Sequence, residues 1–402
     1  MMFFFIHPTF APINLQLKKY RKICLFSVYD YLYASFYFMY LNLYVMSIDN
    51  KLSGTISFLR FPATLLVVII HAYTASRGVY IPNSTFYDHF SYVFSLCMGD
   101  VAVPMFFAIS GYLFFIKFSN KSQYVHKLER RVHTLLIPYL CWNAFMILFY
   151  WVLQSIPYLS PFFSGANQAI STYNFTDFLS AFWDCGHWFD GNGTPILQPY
   201  WYIRNLIILS ILSPVIFYYL KRLKWIGVIL PLVYWMFTPH LAFIGQSITF
   251  FSFGAIFSIN NIDVEKQVIR RGSVFVIIYF LLLTFEYINH FYLPDLHISF
   301  LHRLTVLSGT CALFTLAYKY HQKIRIPRSW TESSFLIYTL HYPIMLGVRK
   351  LGIHLFPDAS QLLTVLLYIG SIALTTAICV LLYKVLNNYL PGFLKFTTGK
   401  GF

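Results

Sequence analysis

The stretch FLRFPATLLVVIIHAYTA, Phe58–Ala75, decides the fold class. As a helix its 18 residues span about 27 Å, close to the roughly 30 Å of a bilayer's hydrocarbon core. Only Arg60 and His71 interrupt its apolar character. Further segments of this kind run near Tyr92–Ile116, Leu135–Ile156, Tyr200–Leu220, Trp225–Thr238, Phe243–Ile259, Val274–Ile288, Phe300–Tyr318, Ser333–Val348 and Leu362–Leu386. The fifth and seventh segments are the shortest. The expectation is an all-α polytopic transmembrane bundle of about ten spans. Composition agrees: 58% of the 402 residues are hydrophobic and 11% charged, against about 25% charged in soluble domains. A chain so poor in polar residues needs lipid around much of its surface.

The net charge of +15 reads as topology rather than as a nucleic-acid surface, because cytoplasmic loops collect Lys and Arg. With the first span entering from the cytoplasm, the inner loops hold Lys117, Lys121, Lys127, Arg130 and Arg131, then Lys221, Arg222 and Lys224, then Lys266, Arg270 and Arg271, then Lys319, Lys323, Arg325 and Arg328. The C-terminal end adds Lys384, Lys395 and Lys400, whereas the outer loops hold Arg77, Arg349 and Lys350. This asymmetry predicts an even number of spans and both termini inside. The six cysteines stand singly in or near apolar runs with no C-x-x-C pair, which predicts neither a disulfide framework nor a metal site.

Residues 1–45 carry a basic group (Lys18, Lys19, Arg21, Lys22) and an aromatic stretch, and fit neither a signal peptide nor a clean span. They are expected to be an extension upstream of a natural start at Met46. Residues 46–390 are then the membrane domain and 391–402 a cytoplasmic tail. The longest outer loop, Pro157–Pro199, is rich in Asn, Gly, Ser, Thr and aromatics. It suits either carbohydrate binding or packing over the helices.

An ionisable residue in a span costs about 2.5–3.5 kcal/mol on insertion scales, so each one invites a role. Arg60 and His71 are eleven residues apart, which places them within about 20° of one helix face and about 16 Å apart along it. Pro62 disfavours helix at Phe61 and would rotate Arg60 if it kinked the span. Arg204, His302, Arg303 and His341 are further intramembrane candidates. Trp201 and Arg204, and likewise Tyr338 and His341, lie three apart and share helix faces. Asp100 and Glu286 fall near outer ends of spans. A lone His in a span is also compatible with a structural hydrogen bond. Ser110 is a conceivable nucleophile, but Ser110-Gly111 suits close helix packing better.

These residues sit in motifs. Arg60-x10-His71 resembles the first-helix signature of the acyltransferase type three family, bacterial membrane proteins that O-acylate carbohydrates. VPMFFAISGYLFF (Val103–Phe115) is similar to its Pro-x-Phe-Phe-x-x-Ser-Gly-Tyr pattern. Arg130-Arg131 followed by LLIPYLCWN (Leu135–Asn143) resembles its basic loop and third helix. PYWYIRNLIILSILSPVI (Pro199–Ile216) and SSFLIYTLHYPI (Ser333–Ile344) resemble its Trp-Phe-x-Arg-x-Leu and Phe-x-x-Tyr-x-x-His-x-Pro segments. The matches run in order from about Ser57 to Leu386. Two departures stand out: His133 replaces the second Arg of an Arg-x-x-Arg pair, and Tyr202 replaces the usual Phe.

The resemblance implies an O-acyltransferase, most simply an O-acetyltransferase, in the bacterial inner membrane. Its partners would be acyl-CoA, typically acetyl-CoA as co-substrate with no permanently bound cofactor, a glycan or glycolipid acceptor, and membrane lipid. Nucleic acid and metal are not expected. Lys127, Arg130 and Arg131 would hold the CoA phosphates, and Arg60 the pantetheine arm or a phosphate. His71 would be the general base on a sugar hydroxyl, with His341 orienting the acceptor or His71 itself. Trp201, Arg204 and Tyr338 would meet the acceptor. The rival class is a glycolipid transporter or flippase; internal repeats would favour it, and the two halves show no clear similarity.

Overall fold

The computed structural model describes residues 28–73, 84–118, 121–160, 168–185, 193–237, 242–293 and 300–399. Met1–Ser53 form one compact unit and Gly54–Phe402 a second. The first is helical from Val28 on. The second is helical throughout its regular structure, with no strand among the described residues. The helices from Asn50 on are α1 (Asn50–His71), α2 (Phe86–Phe115), α3 (Lys121–Ser155), α4 (Phe175–Ala181), α5 (Trp201–Ile211), α6 (Ser213–Leu223), α7 (Ile226–Phe237), α8 (Ala242–Ile259), α9 (Gly272–Tyr292), α10 (Leu301–Tyr320), α11 (Arg328–Leu355), α12 (Gln361–Tyr389) and α13 (Pro391–Thr398).

Over their described residues nine of the ten apolar segments lie essentially on one helix each and the fourth on two, but five helices among the described residues are long and apolar enough to cross a membrane: α1, α2, α3, α9 and α12. A sixth is reached if α5 and α6 form one broken span. α7 and α8 are apolar but shorter. α10 and α11 are long yet carry His302, Arg303 and Lys319, and Arg328, Glu332, Arg349 and Lys350, respectively. The seventh expected segment is fuller than its apolar run suggested, since α9 continues through Asn289 and His290 to Tyr292.

The fourth segment, read as one span from Tyr200 to Leu220, is broken. α5 and α6 meet at Leu212 with a bend of 70°. Pro214 lies in the first turn of α6, where its missing N–H interrupts the helical ladder. Pro62 acts differently: α1 runs through it without a break, and the Thr64 hydroxyl donates to the Arg60 carbonyl at 2.7 Å.

α2 and α8 make the closest helix crossing. A Cβ on Gly111 would lie 2.0 Å from the Phe251 carbonyl oxygen, and one on Gly254 would lie 1.8 Å from that of Ala108. Two backbones at this range tolerate only hydrogen at those positions, the small-residue packing that membrane helices use in place of a hydrophobic driving force. The described parts of the long loop pack onto the bundle. Ile170, Ala181, Cys185, Ile196 and Leu197 join its main core, and the Leu197 amide donates to Asn143 Oδ1 at 3.2 Å.

Candidate active site

His71 closes α1, and His341 lies midway along α11. The structure brings them together, with ring centroids 5.1 Å apart and planes tilted by 44°. Tyr342 meets the His71 ring edge-on at 5.1 Å. His341 is fully buried, whereas His71 is half-buried. The Nδ1 atom of His341 lies 3.0 Å from the Ile337 carbonyl and 2.8 Å from that of Tyr338. A carbonyl only accepts, so Nδ1 carries the hydrogen and Nε2 presents its lone pair. That Nε2 is buried and has no hydrogen-bond partner among the described residues. A buried acceptor without a donor costs about 1–3 kcal/mol, so this site retains an unmet demand for a hydrogen.

A wall of tyrosines continues from His341. The Tyr338 ring is 6.2 Å from His341, stacks on Tyr200 at 5.9 Å and meets Tyr202 edge-on at 6.0 Å. The Tyr338 hydroxyl donates to the Pro199 carbonyl. Thr339 donates to the Phe335 carbonyl at 2.9 Å, so at 2.8 Å it accepts from the Tyr200 hydroxyl. Tyr202 reaches the Ser110 hydroxyl at 3.2 Å. α5 and α11 are thereby held in register beside the imidazole pair, and Ser110 is engaged in that wall.

The other expected site residues are distributed around this centre. Trp201 stacks on Phe243 at 4.1 Å. Arg204 donates to the Trp183 carbonyl and, at 3.2 Å, to Asn205 Oδ1, and lies 5.1 Å from the Trp183 ring. Both therefore secure α5 to its surroundings. Arg60 is exposed, and the unbroken helix leaves it about 16 Å from His71. Lys127 donates to the Ile116 carbonyl at 2.9 Å, and its ammonium lies 5.6 Å from the Phe114 ring. Arg131 lies over the same ring at 5.5 Å and interacts electrostatically with Tyr202. Arg130 is exposed. The basic segment thus packs Lys127 and Arg131 over Phe114 of α2.

A second polar group lies apart from the imidazole pair. His302 Nδ1 is 2.8 Å from Glu286 Oε1 and its Nε2 is 3.2 Å from Asp100 Oδ2. The Tyr92 hydroxyl donates to Glu286 Oε1 at 3.2 Å, and His290 stacks on Tyr92 at 4.1 Å. Of these, His302 read in sequence as a separate intramembrane candidate, and Asp100 and Glu286 as groups near outer ends of spans. Their only sequence signal is that each is ionisable within an apolar run, which does not pair residues up to 202 positions apart.

The profile of a family described as "Acyltransferase domain" matches residues 54–384. The chain is also similar to the "Succinoglycan biosynthesis protein ExoH" of Rhizobium meliloti (strain 1021), at 23% identity over 366 residues, covering 87% of this chain and 93% of the relative. No solved structure matches significantly. The family match covers most of the chain, and the chain belongs to this acyltransferase family. It is an integral membrane enzyme that transfers acyl groups other than aminoacyl groups.

Proposed function

We propose, from that membership, that the protein moves an acyl group, most simply acetyl, from cytoplasmic acyl-CoA to a hydroxyl of a lipid-linked or cell-surface glycan in the inner membrane. The relative's part in succinoglycan biosynthesis supports a carbohydrate acceptor. The observation that carries the reading is the meeting of His71 and His341, one half-buried and reachable, the other buried with a free lone pair.

CoA phosphates are held by Arg130, Arg131 and Lys127 through charge-assisted hydrogen bonds, and Arg60 meets the donor at the inner edge. The track from Arg131 over Tyr202 and Tyr338 to His341 gives the pantetheine arm an aromatic path toward the imidazoles. His71 removes the proton as the sugar oxygen attacks the thioester carbon. The new C–O bond forms, the C–S bond breaks, and the proton held on His71 passes to the departing thiolate sulfur. His341, anchored through Nδ1, orients His71 or the acceptor hydroxyl through Nε2. Both termini lie in the cytoplasm, and the remaining apolar helices complete about ten spans.

The test is turnover of purified protein with acetyl-CoA and an isolated glycan acceptor. His71→Gln is expected to lower transfer by about 10²–10⁴-fold, the usual worth of a positioned acid–base group, with acyl-CoA binding retained. His341→Gln is expected to cost less and to add nothing when combined with His71→Gln, as for residues that act as a unit. Near-normal turnover of a well-folded His71→Gln protein would refute the assignment.

A further inference from the structure

The C-terminal helix α13 presses on α3 at one particular turn. Leu394, Thr397 and Thr398 of α13 are buried, while Phe393, Lys395 and Phe396 are exposed. Trp142 of α3, itself buried, donates through Nε1 to the Thr397 carbonyl at 2.9 Å. That carbonyl lies in the last turn of α13, where a helix offers its carbonyls no partner of its own. Gly399 then ends the helix at φ +65°, the left-handed conformation that glycine adopts without strain. A Cβ on Gly399 would lie 2.5 Å from Thr134 Cα and 2.8 Å from the His133 carbonyl oxygen. The end of α13 is therefore seated directly on the backbone of α3.

The residues it touches belong to a π-helical turn, Val132–Leu136, where the Ile137 amide donates to the Val132 carbonyl five residues back. Such turns are rare inside α-helices and concentrate at functional sites. This one joins the basic segment, Lys121–Arg131, to the rest of α3. Its extra residue rotates everything before it by about 100° relative to an uninterrupted α-helix. The direction in which Arg130 and Arg131 project is therefore set at this turn. Thr134 ties the two together, since its hydroxyl donates to the Arg130 carbonyl at 2.8 Å. Elsewhere the segment is held by Lys127, which donates to the Ile116 carbonyl, and by Tyr124, which donates to that of Ile211 at 3.0 Å. α13 supplies the hold at the turn itself.

We propose that α13 is a clamp for the acyl-donor site: Gly399 and the Trp142–Thr397 hydrogen bond hold the π turn and so aim Arg130 and Arg131 at the CoA phosphates. The inference rests on the assignment of those cations to the donor given above. Gly399 and Trp142 are positioning residues that touch no substrate, so their loss is felt in donor affinity rather than in the chemical step.

The test is initial-rate kinetics of the purified full-length protein, with acetyl-CoA and an isolated glycan acceptor varied in turn, and calorimetric binding of CoA alongside. Gly399→Val places a branched side chain where the left-handed φ and the α3 backbone leave no room. Trp142→Phe keeps a ring in the core and removes the hydrogen bond. Each is expected to raise the acetyl-CoA KM and the CoA Kd at least about fivefold, the order of one lost hydrogen bond, with kcat and the acceptor KM unchanged. Because both act through one turn, the double variant should cost less than the two effects combined. Gly392→Ala, in open space at the other end of α13, should change nothing. If Gly399→Val does not fold, Trp142→Phe decides alone. Donor KM and CoA affinity at the parent's values, or a loss of kcat with both KM values unmoved, would mean packing only and would overturn the proposal. The Arg130→Ala/Arg131→Ala pair is measured in parallel. Unchanged CoA affinity there sinks the donor reading of the basic segment. Weakened affinity there, with Gly399→Val and Trp142→Phe at the parent's values, sinks the clamp alone.

Discussion

Replacing His302 by Gln should destabilise the bundle. The imidazole bridges two carboxylates, at 2.8 Å to Glu286 and 3.2 Å to Asp100. With both carboxylates ionised, each ring nitrogen faces an acceptor and must carry a hydrogen, so the bridge is an imidazolium. Glutamine removes that charge and leaves two carboxylates facing each other, their side chains 4% and 13% exposed. Breaking a buried pair from one side costs about 3–5 kcal/mol, because a charge is left uncompensated. The His302 side chain is itself 40% exposed, which screens part of the interaction, so the lower end, about 3 kcal/mol, is expected. That is roughly a hundredfold in the unfolding equilibrium, at about 1.4 kcal/mol per tenfold. The assay is thermal or denaturant unfolding of purified protein in one detergent. Adding Asp100→Asn and Glu286→Gln to His302→Gln should recover most of the loss, since the triple variant holds no buried charge. A His302→Gln protein as stable as the parent, or a triple variant no better than the single one, would refute the charge-balance reasoning.

Gly111→Val should prevent α2 and α8 from closing, because a Cβ there meets the Phe251 carbonyl at 2.0 Å; loss of folded protein in size-exclusion chromatography checks this, whereas Gly370→Ala, with open space around it, should be neutral. The Arg130→Ala/Arg131→Ala pair should weaken acyl-CoA binding at least about tenfold, and added salt should weaken the parent's binding too, because exposed phosphate contacts are screened; unchanged affinity by calorimetry would remove these residues from the donor site. Deletion of residues 1–45 should leave insertion and turnover intact. Reporter fusions after Lys224 and after Ser160 should report opposite sides of the membrane, and the same side for both would sink the topology.

Membrane residence was legible because it depends on composition, and helix positions because each apolar run is continuous in sequence. Helix lengths were less so. α9 reaches 21 residues by including Asn289 and His290, which a hydropathy reading cuts off but a helix end at the interface accommodates. The break at Leu212 carried a visible signal in Pro214. Pro62 carried the same signal and produced no break, so proline alone did not decide between the two outcomes. In the site, the periodicity of α1 related Arg60 to His71, but only tertiary packing could join His71 to His341. Arg204 shows the converse: it stood out by residue type alone, which did not tell that its hydrogen bonds go to the Trp183 carbonyl and Asn205. The Asp100–His302–Glu286 bridge was hidden because its members lie on three helices, and charge complementarity leaves no pattern along a single chain.

The meeting of His71 with His341 has a consequence for biogenesis. The two imidazoles are 270 positions apart, and ribosomes add about 5–20 residues per second. The first span therefore enters the membrane roughly 15–55 s before its partner ring is even synthesised. Through that interval His71 is an ionisable group at the end of a span that lacks its neighbour, and ionisable groups in spans are costly until they find partners. A nascent chain in this state is a natural client for insertion factors that shelter polar spans. A chain released before α11 has α1 without His341 and Tyr342, so premature termination leaves the imidazole pair unmade.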